Sequence, residues 1–514
     1  MMTVLVTAVV LGYAAFTQHA WEDYYITLRS SRNMVEGHGL VFQPGERVHT
    51  FTSPLGVLVP AACTWLAGPG NEESALWLFR LLNAAALVAA AIWAWRRFDT
   101  LGTGWLGRLV FYGLAFADAK LVGFSMNGME TAMLVAFVVW LWSELEQLPG
   151  PRPWAVAAGC GGLMWTRPDA FILGAALIIP HLFFRKKSGG SGALPWRALS
   201  GGVLLGGLIY LPWFAWAWWY YGSPVPHTII AKGQVTPPLD VASVLLIPWR
   251  SMTGDSLLRD IFLPTYWHHG GWPAWLPGWA YVLSLLASLG WIWPGLAAPF
   301  RRVSLALFIG SFYFCAIILF PWYSPPWTVL AALALAGMVD ELAGKDAGRL
   351  RAGIARSLGV LTVAVQVFVL VLSAWEMRSQ QRIIEQGMRR EIGLWLRQQA
   401  APGDTVFMEC LGYIGYFSGL KTYDYPGLSS PEVVAAIRGG AHRFTEVIDR
   451  TKPDWLVLRP FEIADAAKPE NAAWRHYELV RAWDKRGELD AVTVLPGRGW
   501  VDRDAQFLVF RRRP

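Results

Sequence analysis

The run ALWLFRLLNAAALVAAAIWAW, residues 75–95, ends against Arg96-Arg97. It has the roughly 20 residues that a helix needs to cross a bilayer, and two arginines at its end mark that end as cytoplasmic. Working outward, other apolar runs lie at 3–19, 53–69, 106–120, 130–147, 154–166, 169–184, 198–219, 274–298, 303–320, 326–342 and 355–375. Basic breaks fall at Arg96–Arg97 with Arg108, at Arg152, at Arg185–Lys187 with Arg197, at Arg301–Arg302, and at Lys345, Arg349, Arg351 and Arg356. All of these are cytoplasmic only if the N-terminus is inside, run 3–19 exits, and one crossing separates residue 20 from Arg96. That crossing is 75–95. The run 53–69 opens on Ser53-Pro54, contains Pro60 and closes on Gly68-Pro69-Gly70, so it reads as an apolar helix lying on the outer surface or re-entering it.

The expectation is a polytopic α-helical membrane protein with about eleven spanning helices. Twelve spans, with some basic loops outside, is the alternative. Run 3–19 has no basic flank and no clear small-x-small cleavage site, so it reads as a retained anchor. Composition agrees: 54% of 514 residues are hydrophobic and 16% charged, with a mean hydropathy of +0.35. Thirty Trp, 26 Phe and 16 Tyr exclude a disordered, collagenous or coiled-coil chain. The net charge of +7 is explained by cytoplasmic loops, so no nucleic-acid partner is expected. Four cysteines exclude a disulfide scaffold; Cys63, Cys160 and Cys315 lie in apolar runs and only Cys410 in polar sequence.

This topology leaves 20–74, 121–129, 220–273 and 321–325 outside. Residues 1–376 form the membrane module, and the Gly/Ser-rich stretch 188–193 is a cytoplasmic linker. From 377 to 514 the sequence turns polar. Strand-like Thr405–Met408 and Trp455–Leu458 alternate there with helix-like 431–438, which predicts an extracytoplasmic α/β domain of roughly 135 residues.

The first outer segment begins Trp21-Glu22-Asp23-Tyr24-Tyr25. Adjacent carboxylates at a membrane boundary have raised pKa values, which suits a general base; the pair reads equally as two solvated acids marking a helix end. Arg29 and Arg32 share a helical face, with Glu36 four residues after Arg32. Guanidinium forks suit phosphate, although Arg32 also has Glu36 in reach. Glu130 at a helix start suits the dipole. Arg167 and Asp169 flank Pro168 and can pair with each other, Lys232 is the lysine of its outer loop, and Tyr323 belongs to an interfacial Trp-Tyr pair. His38, His49 and His268-His269 lack metal-ligand spacing, so no metal site and no cofactor are expected.

These residues sit in motifs. Glu22-Asp23, Arg32-Asn33, Gly37-His38-Gly39-Leu40-Val41-Phe42, Pro44-Gly45-Glu46 and Thr52-Ser53-Pro54-Leu55 resemble the first outer loop of the polytopic C-type (GT-C) glycosyltransferases, nearest the actinobacterial cell-wall arabinofuranosyltransferase branch. Gly128-Met129-Glu130-Thr131, Thr166-Arg167-Pro168-Asp169 and Tyr221-Gly222 through Pro226-His227-Thr228 with Lys232 resemble further motifs of that family in order, with His227 where Asn is usual. The resemblance covers residues 1 to about 330 and implies a transferase that uses a polyprenyl-phosphate sugar, arabinofuranose above all, and an outer glycan or surface acceptor. It implies Asp23 as general base with Glu22 beside it. Arg29, Arg32, Lys232, His227 and Tyr323 would bind the donor, and Glu130, Arg167 and Asp169 would support the acceptor side. It places the protein in a bacterial plasma membrane, multi-pass, with active site and C-terminal domain outside. A hexose donor such as mannose, or a lipid or anion transporter, is the other reading; transporters hold their ionisable residues near mid-bilayer, whereas here they gather at one face.

Overall fold

Apolar runs become helices because a segment in hydrocarbon must satisfy its backbone hydrogen bonds within itself. The structure, a computed structural model, describes residues 2–147, 150–184, 196–234, 240–254, 256–344, 348–464 and 472–513. The linker 188–193, the basic stretch Arg185–Lys187 and Lys345 lie outside the described residues.

The first helices are α1 (Met2–Thr17), α2 (Glu22–Val35), α3 (Pro54–Ala67), α4 (Glu72–Leu101), α5 (Trp105–Phe116), α6 (Ala119–Met126), α7 (Thr131–Leu145), α8 (Pro153–Thr166), α9 (Phe171–Ile178) and α10 (Pro180–Phe183). Next come α11 (Trp196–Tyr221), α12 (His227–Gly233), α13 (Val241–Leu245), α14 (Ile247–Thr253), α15 (Leu257–Asp260), α16 (Leu276–Leu289), α17 (Ala298–Ser311), α18 (Pro325–Leu342) and α19 (Arg349–Gln380). Among the described residues, α4, α11 and the rod Arg349–Gln399 are long and apolar enough to cross a membrane by length and composition. Two bent pairs pass only when joined: α1 with α2, at 90°, and α5 with α6, at 51°. The apolar runs are therefore not equally long helices; breaks at Asp118, Pro168 and Pro180 divide several of them. The run 53–69 is α3, which packs on α2 and α4. Large apolar side chains on α11 and α19, such as Leu204, Trp219 and Val371, are exposed on the outside of the bundle, where lipid replaces water.

After α19 a π-helical stretch, Gln381–Arg389, leads into α20 (Arg390–Gln399) and a five-stranded sheet. Its strands are β1 (Thr405–Met408), β2 (Lys421–Asp424), β3 (Trp455–Leu458), β4 (Tyr477–Asp484) and β5 (Gln506–Arg512), in the order β2-β1-β3-β5-β4. β1 runs parallel to β2 and β3, while β5 is antiparallel to β3 and β4. The remaining helices are α21 (Leu411–Ser418), α22 (Pro431–Arg438), α23 (Phe444–Thr451), α24 (Arg486–Asp490) and α25 (Arg498–Arg503).

Period-two alternation explains the layers. Val406, Met408, Trp455, Val457, Phe507 and Val509 meet Met388, Ile392 and Leu396 on one face. Phe407, Leu456, Leu458 and Phe510 meet Val433, Ile437 and Val447 on the other. Strand β3 is buried throughout, as a central strand covered on both faces must be. Truncation of Leu456 to Ala is expected to cost about 2–5 kcal/mol and to lower the melting temperature measurably; an unchanged melt would contradict the two-faced core.

Candidate active site

The site grows from a corner. The chain leaves α1 through Gln18, whose φ of 54° is left-handed, and turns into α2. Trp21 N donates to Asn127 O at 2.8 Å, and Ala20 N donates to Gln381 Oε1 at 3.1 Å. The Tyr413 hydroxyl donates to Ala20 O at 3.1 Å. Buried Arg80 of α4 donates to Met126 O at 2.7 Å and to His19 O at 2.8 Å. The corner is thus held from α4, from the 125–130 loop and from the C-terminal domain. Gly128 has a φ of 100°, and a Cβ there would lie 2.5 Å from the Tyr24 ring, so the glycine lets that loop close on α2.

Glu22 and Asp23 occupy the first turn of α2, where the helix dipole favours acids, and there they diverge. Glu22 turns to the C-terminal domain. It forms an ion pair with Arg389 Nη1 at 3.0 Å and accepts from Gly412 N at 3.1 Å; a Cβ on Gly412 would stand 2.1 Å from the Glu22 backbone oxygen. Burial pushes the Glu22 carboxyl up to about 8 against the pull of Arg389. Asp23 turns to the membrane module. Burial raises its pKa as well, with Lys232 pulling it down, Glu409 adding to the rise and Arg167 also pulling it down.

Asp23 lies where two hollows meet. The larger, about 690 Å³, is lined by Glu22, Asp23, Lys232, Tyr266, Ile318–Trp322, Glu385, Arg389, Glu409, Arg459, Trp500 and Asp504 among others. The smaller, about 90 Å³, is lined by Asp23, Thr27, Ser53, Glu130, Arg167, Thr228, Lys232 and Tyr323. Asp23, Ile26, Lys232, Trp322 and Leu428 line both.

In the recess Arg167 Nε donates to Asp169 Oδ1 at 3.2 Å, and its guanidinium lies 4.3 Å from the Tyr323 ring centroid. Burial works against its charge, but Asp169, Tyr323 and Glu130 outweigh that and hold its pKa above the ordinary value. Lys232 Nζ lies 4.6 Å from the Phe320 centroid. Burial lowers its pKa while Asp23 supports its charge. Glu130 lines the same recess. The recess therefore holds two cations beside two carboxyls, and burial favours the proton on Asp23, a setting suited to binding an anion and moving a proton.

Of the residues singled out from sequence, Glu22, Asp23, Glu130, Arg167, Lys232 and Tyr323 line these hollows, and Asp169 stands behind Arg167. Arg29 does not. Its guanidinium donates to Gly415 O at 2.6 Å, Gln43 Oε1 at 2.9 Å and Leu420 O at 2.9 Å, so it caps α21 outside both hollows. Arg32 pairs with Glu36 at 3.8 Å and lies over the Tyr416 ring, away from both hollows. The His227 backbone N–H donates to His49 O at 2.8 Å, and burial lowers the pKa of its ring against the opposing pull of Asp424 and Ser430 of the C-terminal domain. Tyr413 and Tyr416 are buried against α2, Trp455 is sheet core, and Tyr425 lines the larger hollow.

Sequence reading missed the residues that the C-terminal domain brings in. Arg389 bonds Glu22, Glu385 at 2.8 Å and Asp504 at 2.7 Å; Arg459 bonds Asp504 at 2.8 Å, Glu409 at 2.7 Å, and Glu462. Glu409 directly follows β1 and Arg459 directly follows β3, and the carboxyl ends of parallel strands are where such domains bind ligands. That signal was available; Arg389 and Asp504 carried none.

Residues 377–508 match a family described as Domain of unknown function (DUF8728). The chain is 28% identical over 251 residues to a terminal β-(1→2)-arabinofuranosyltransferase of Mycobacterium tuberculosis, covering 45% of this chain and 38% of the relative. A protein of the same name from Corynebacterium glutamicum is 25% identical over 257 residues, covering 44% and 35%. The chain thus spans well under half the length of these curated relatives. In structure it resembles ArnT from Cupriavidus metallidurans bound to undecaprenyl phosphate, with a TM-score of 0.50 at 14% identity over 99% of this chain and 97% of that one. It also resembles the archaeal oligosaccharyltransferase AglB from Archaeoglobus fulgidus, in complex with an inhibitory peptide and a dolichol-phosphate, with a TM-score of 0.53 at 13% identity over 95% and 73%. These likenesses show a fold of the C-type glycosyltransferase kind: a helical membrane protein carrying an outer domain.

Replacing Arg389 by Leu leaves the buried carboxyls of Glu385 and Asp504 and the half-buried one of Glu22 without that partner. Breaking such a network is expected to cost about 3–5 kcal/mol, read as a lower melting temperature; a melt equal to wild type would contradict the network's structural role.

Proposed function

We propose that this protein is a membrane glycosyltransferase that moves a sugar from a polyprenyl-phosphate donor to an outer glycan or surface acceptor, with arabinofuranose as the sugar. The observation that carries the reading is Asp23 standing between Lys232 and Arg167 in a recess that opens into a much larger hollow. The names of the two curated relatives support the sugar; a hexose such as mannose on the same lipid is the alternative. The prenyl-phosphate ligands of the two solved neighbours support a lipid donor. Apolar Ile318, Leu319 and Phe320 line the larger hollow and suit a prenyl chain.

In this reading Asp23 takes the proton of an acceptor hydroxyl as its oxygen attacks the anomeric carbon. The bond to the phosphate oxygen breaks, and the lipid phosphate leaves with the electron pair. Lys232 and Arg167 hold that phosphate and stabilise the charge it gains, the part first expected of Arg29 and Arg32. Glu22, tied to Arg389, positions Asp23 from the neighbouring residue. Two side-chain cations supply the positive charge, so the reaction proceeds without a metal ion or other cofactor. The protein sits in a bacterial plasma membrane, N-terminus inside and site outside, with about eleven crossings; the basic breaks and the position of α3 support that topology.

Substitution of Asp23 by Asn is expected to lower kcat by about 10²–10⁴-fold, scored as sugar transferred from polyprenyl-phosphate arabinose; retained activity would reject Asp23 as base. A base must be deprotonated, and burial raises the pKa of Asp23. The acid limb of the kcat profile is therefore expected above the ordinary carboxylate range near ~4, and a profile flat down to that range would count against the assignment. Lys232→Ala is expected to raise the donor KM by about tenfold or more, with EDTA leaving wild-type turnover unchanged; donor affinity equal to wild type would remove Lys232 from the phosphate site.

A further inference from the structure

The outer loop between α11 and α16 carries a surface that its own fold leaves open. From Val241 to Trp249 it has no charged residue, and Asp240 and Arg250 stand at the two ends of that run. The run forms α13 and the start of α14. Val241 is 77% exposed, Leu245 76% and Trp249 63%, with Val244 and Leu246 open beside them. Large apolar side chains exposed together in this way mark a surface that has a partner.

The opposite side of the segment shows at what level that surface lies. The Cys315 thiol, in the turn that ends α17, donates to Ile247 O at 3.8 Å, and the Tyr281 hydroxyl of α16 donates to Met252 O. Directly after α14 the chain dips into the bundle: Leu257, Leu258, Ile261, Phe262 and Leu263 have no exposed surface. Buried Lys120 of α6 donates to Asp260 O at 2.6 Å and pairs with the Asp260 carboxylate. Two residues before Lys120, Asp118 accepts from Gln366 Nε2 of α19 at 2.9 Å. Gln366 belongs to the apolar part of a rod long enough to cross the membrane, so residues 257–263 reach membrane depth, where irregular backbone is tolerated only under a cover of protein.

The helices α13 and α14 therefore stand at the rim of this dip, and a face turned away from the bundle at that level meets lipid. The composition agrees, because outward Leu and Trp with charges only at the two ends suit a helix lying in the plane of a membrane surface. Trp218 and Trp219 at the outer end of α11, itself long and apolar enough to cross, and Ile229 of α12 are exposed in the same way. The lipid-facing surface of the bundle thus continues along the loop.

We propose that the outer leaflet is the partner of this surface: α13 and α14 form an interfacial anchor, with Val241, Leu245 and Trp249 among the lipid chains, and the anchor holds the loop that brings Lys232 on one side and Tyr266 on the other to the site. The anchor rests on the geometry of the loop itself. Its bearing on donor binding rests on the transferase reading above.

The test uses full-length protein in nanodiscs. A spin label is placed in turn on Leu245→Cys, on Leu204→Cys at the exposed side of α11 and on Asp490→Cys at the surface of the C-terminal domain, and the signal of identically treated wild type is subtracted. Collision with oxygen, which concentrates in lipid, is compared with collision with a water-soluble nickel chelate. The oxygen-to-nickel ratio at Leu245 is expected to shift from the value at Asp490 toward that at Leu204. A ratio equal to that at Asp490 overturns the anchor, and so does protection from both reagents, which would show that a second copy or another protein covers the face. Leu245→Ser combined with Trp249→Ser, with folding checked by an unchanged melt, is expected to raise the donor KM about threefold or more while kcat holds; a donor KM equal to wild type overturns the link to the site. Sugar transfer scored on the same samples separates the two readings. Leu245 in lipid on a protein that transfers no sugar rejects the transferase and keeps the anchor; transfer with Leu245 in water rejects the anchor.

Discussion

The geometry of the site depends on two buried guanidinium groups: Arg389, which joins Glu22 of the membrane module to the C-terminal domain, and Arg459, whose partners Glu409, Glu462 and Asp504 lie within that domain. Asp504 bridges them, with one oxygen on each, and Glu22 completes the chain from the other side. Removing such charges from water costs several kcal/mol per ion unless each is paired and hydrogen-bonded. The arrangement is therefore close to all-or-none, and it fixes where the first turn of α2 points. Glu22 is drawn toward the domain and its neighbour Asp23 is left facing Lys232 and Arg167. Two carboxylates that look alike in sequence receive different environments because they are consecutive on a helix and point apart.

A transferase has to hold a lipid-borne substrate and a water-borne one against the same base. In the proposed reading the hollows meet that need by sharing Asp23 and Lys232. The recess sets Arg167 and Lys232 against Asp23 and Glu130 and lies mostly among residues of the membrane module; the larger hollow is roofed by strand ends of the C-terminal domain.

Much of this was legible in the sequence. Thr405–Met408, Trp455–Leu458 and 431–438 are a strand, a strand and a helix where their patterns put them, and the first outer loop brought Glu22 and Asp23 to the site. Arg167 and Lys232 were also found, from motifs of different loops. The fate of Arg29 was not legible, because the carbonyls that capture it belong to residues 415 and 420, nearly four hundred positions away. Arg389 and Asp504 were invisible for the same reason: a buried ion pair has no local pattern. The count of spans was blurred by prolines and short turns that break apolar runs into helices of unequal length.

The most direct test is transfer of labelled sugar by purified wild-type protein from polyprenyl-phosphate arabinose, with polyprenyl-phosphate mannose in parallel, onto a glycan mixture. The account predicts labelled glycan from the arabinose donor and little from the mannose donor. No labelled glycan from either, with intact folded protein, would contradict it.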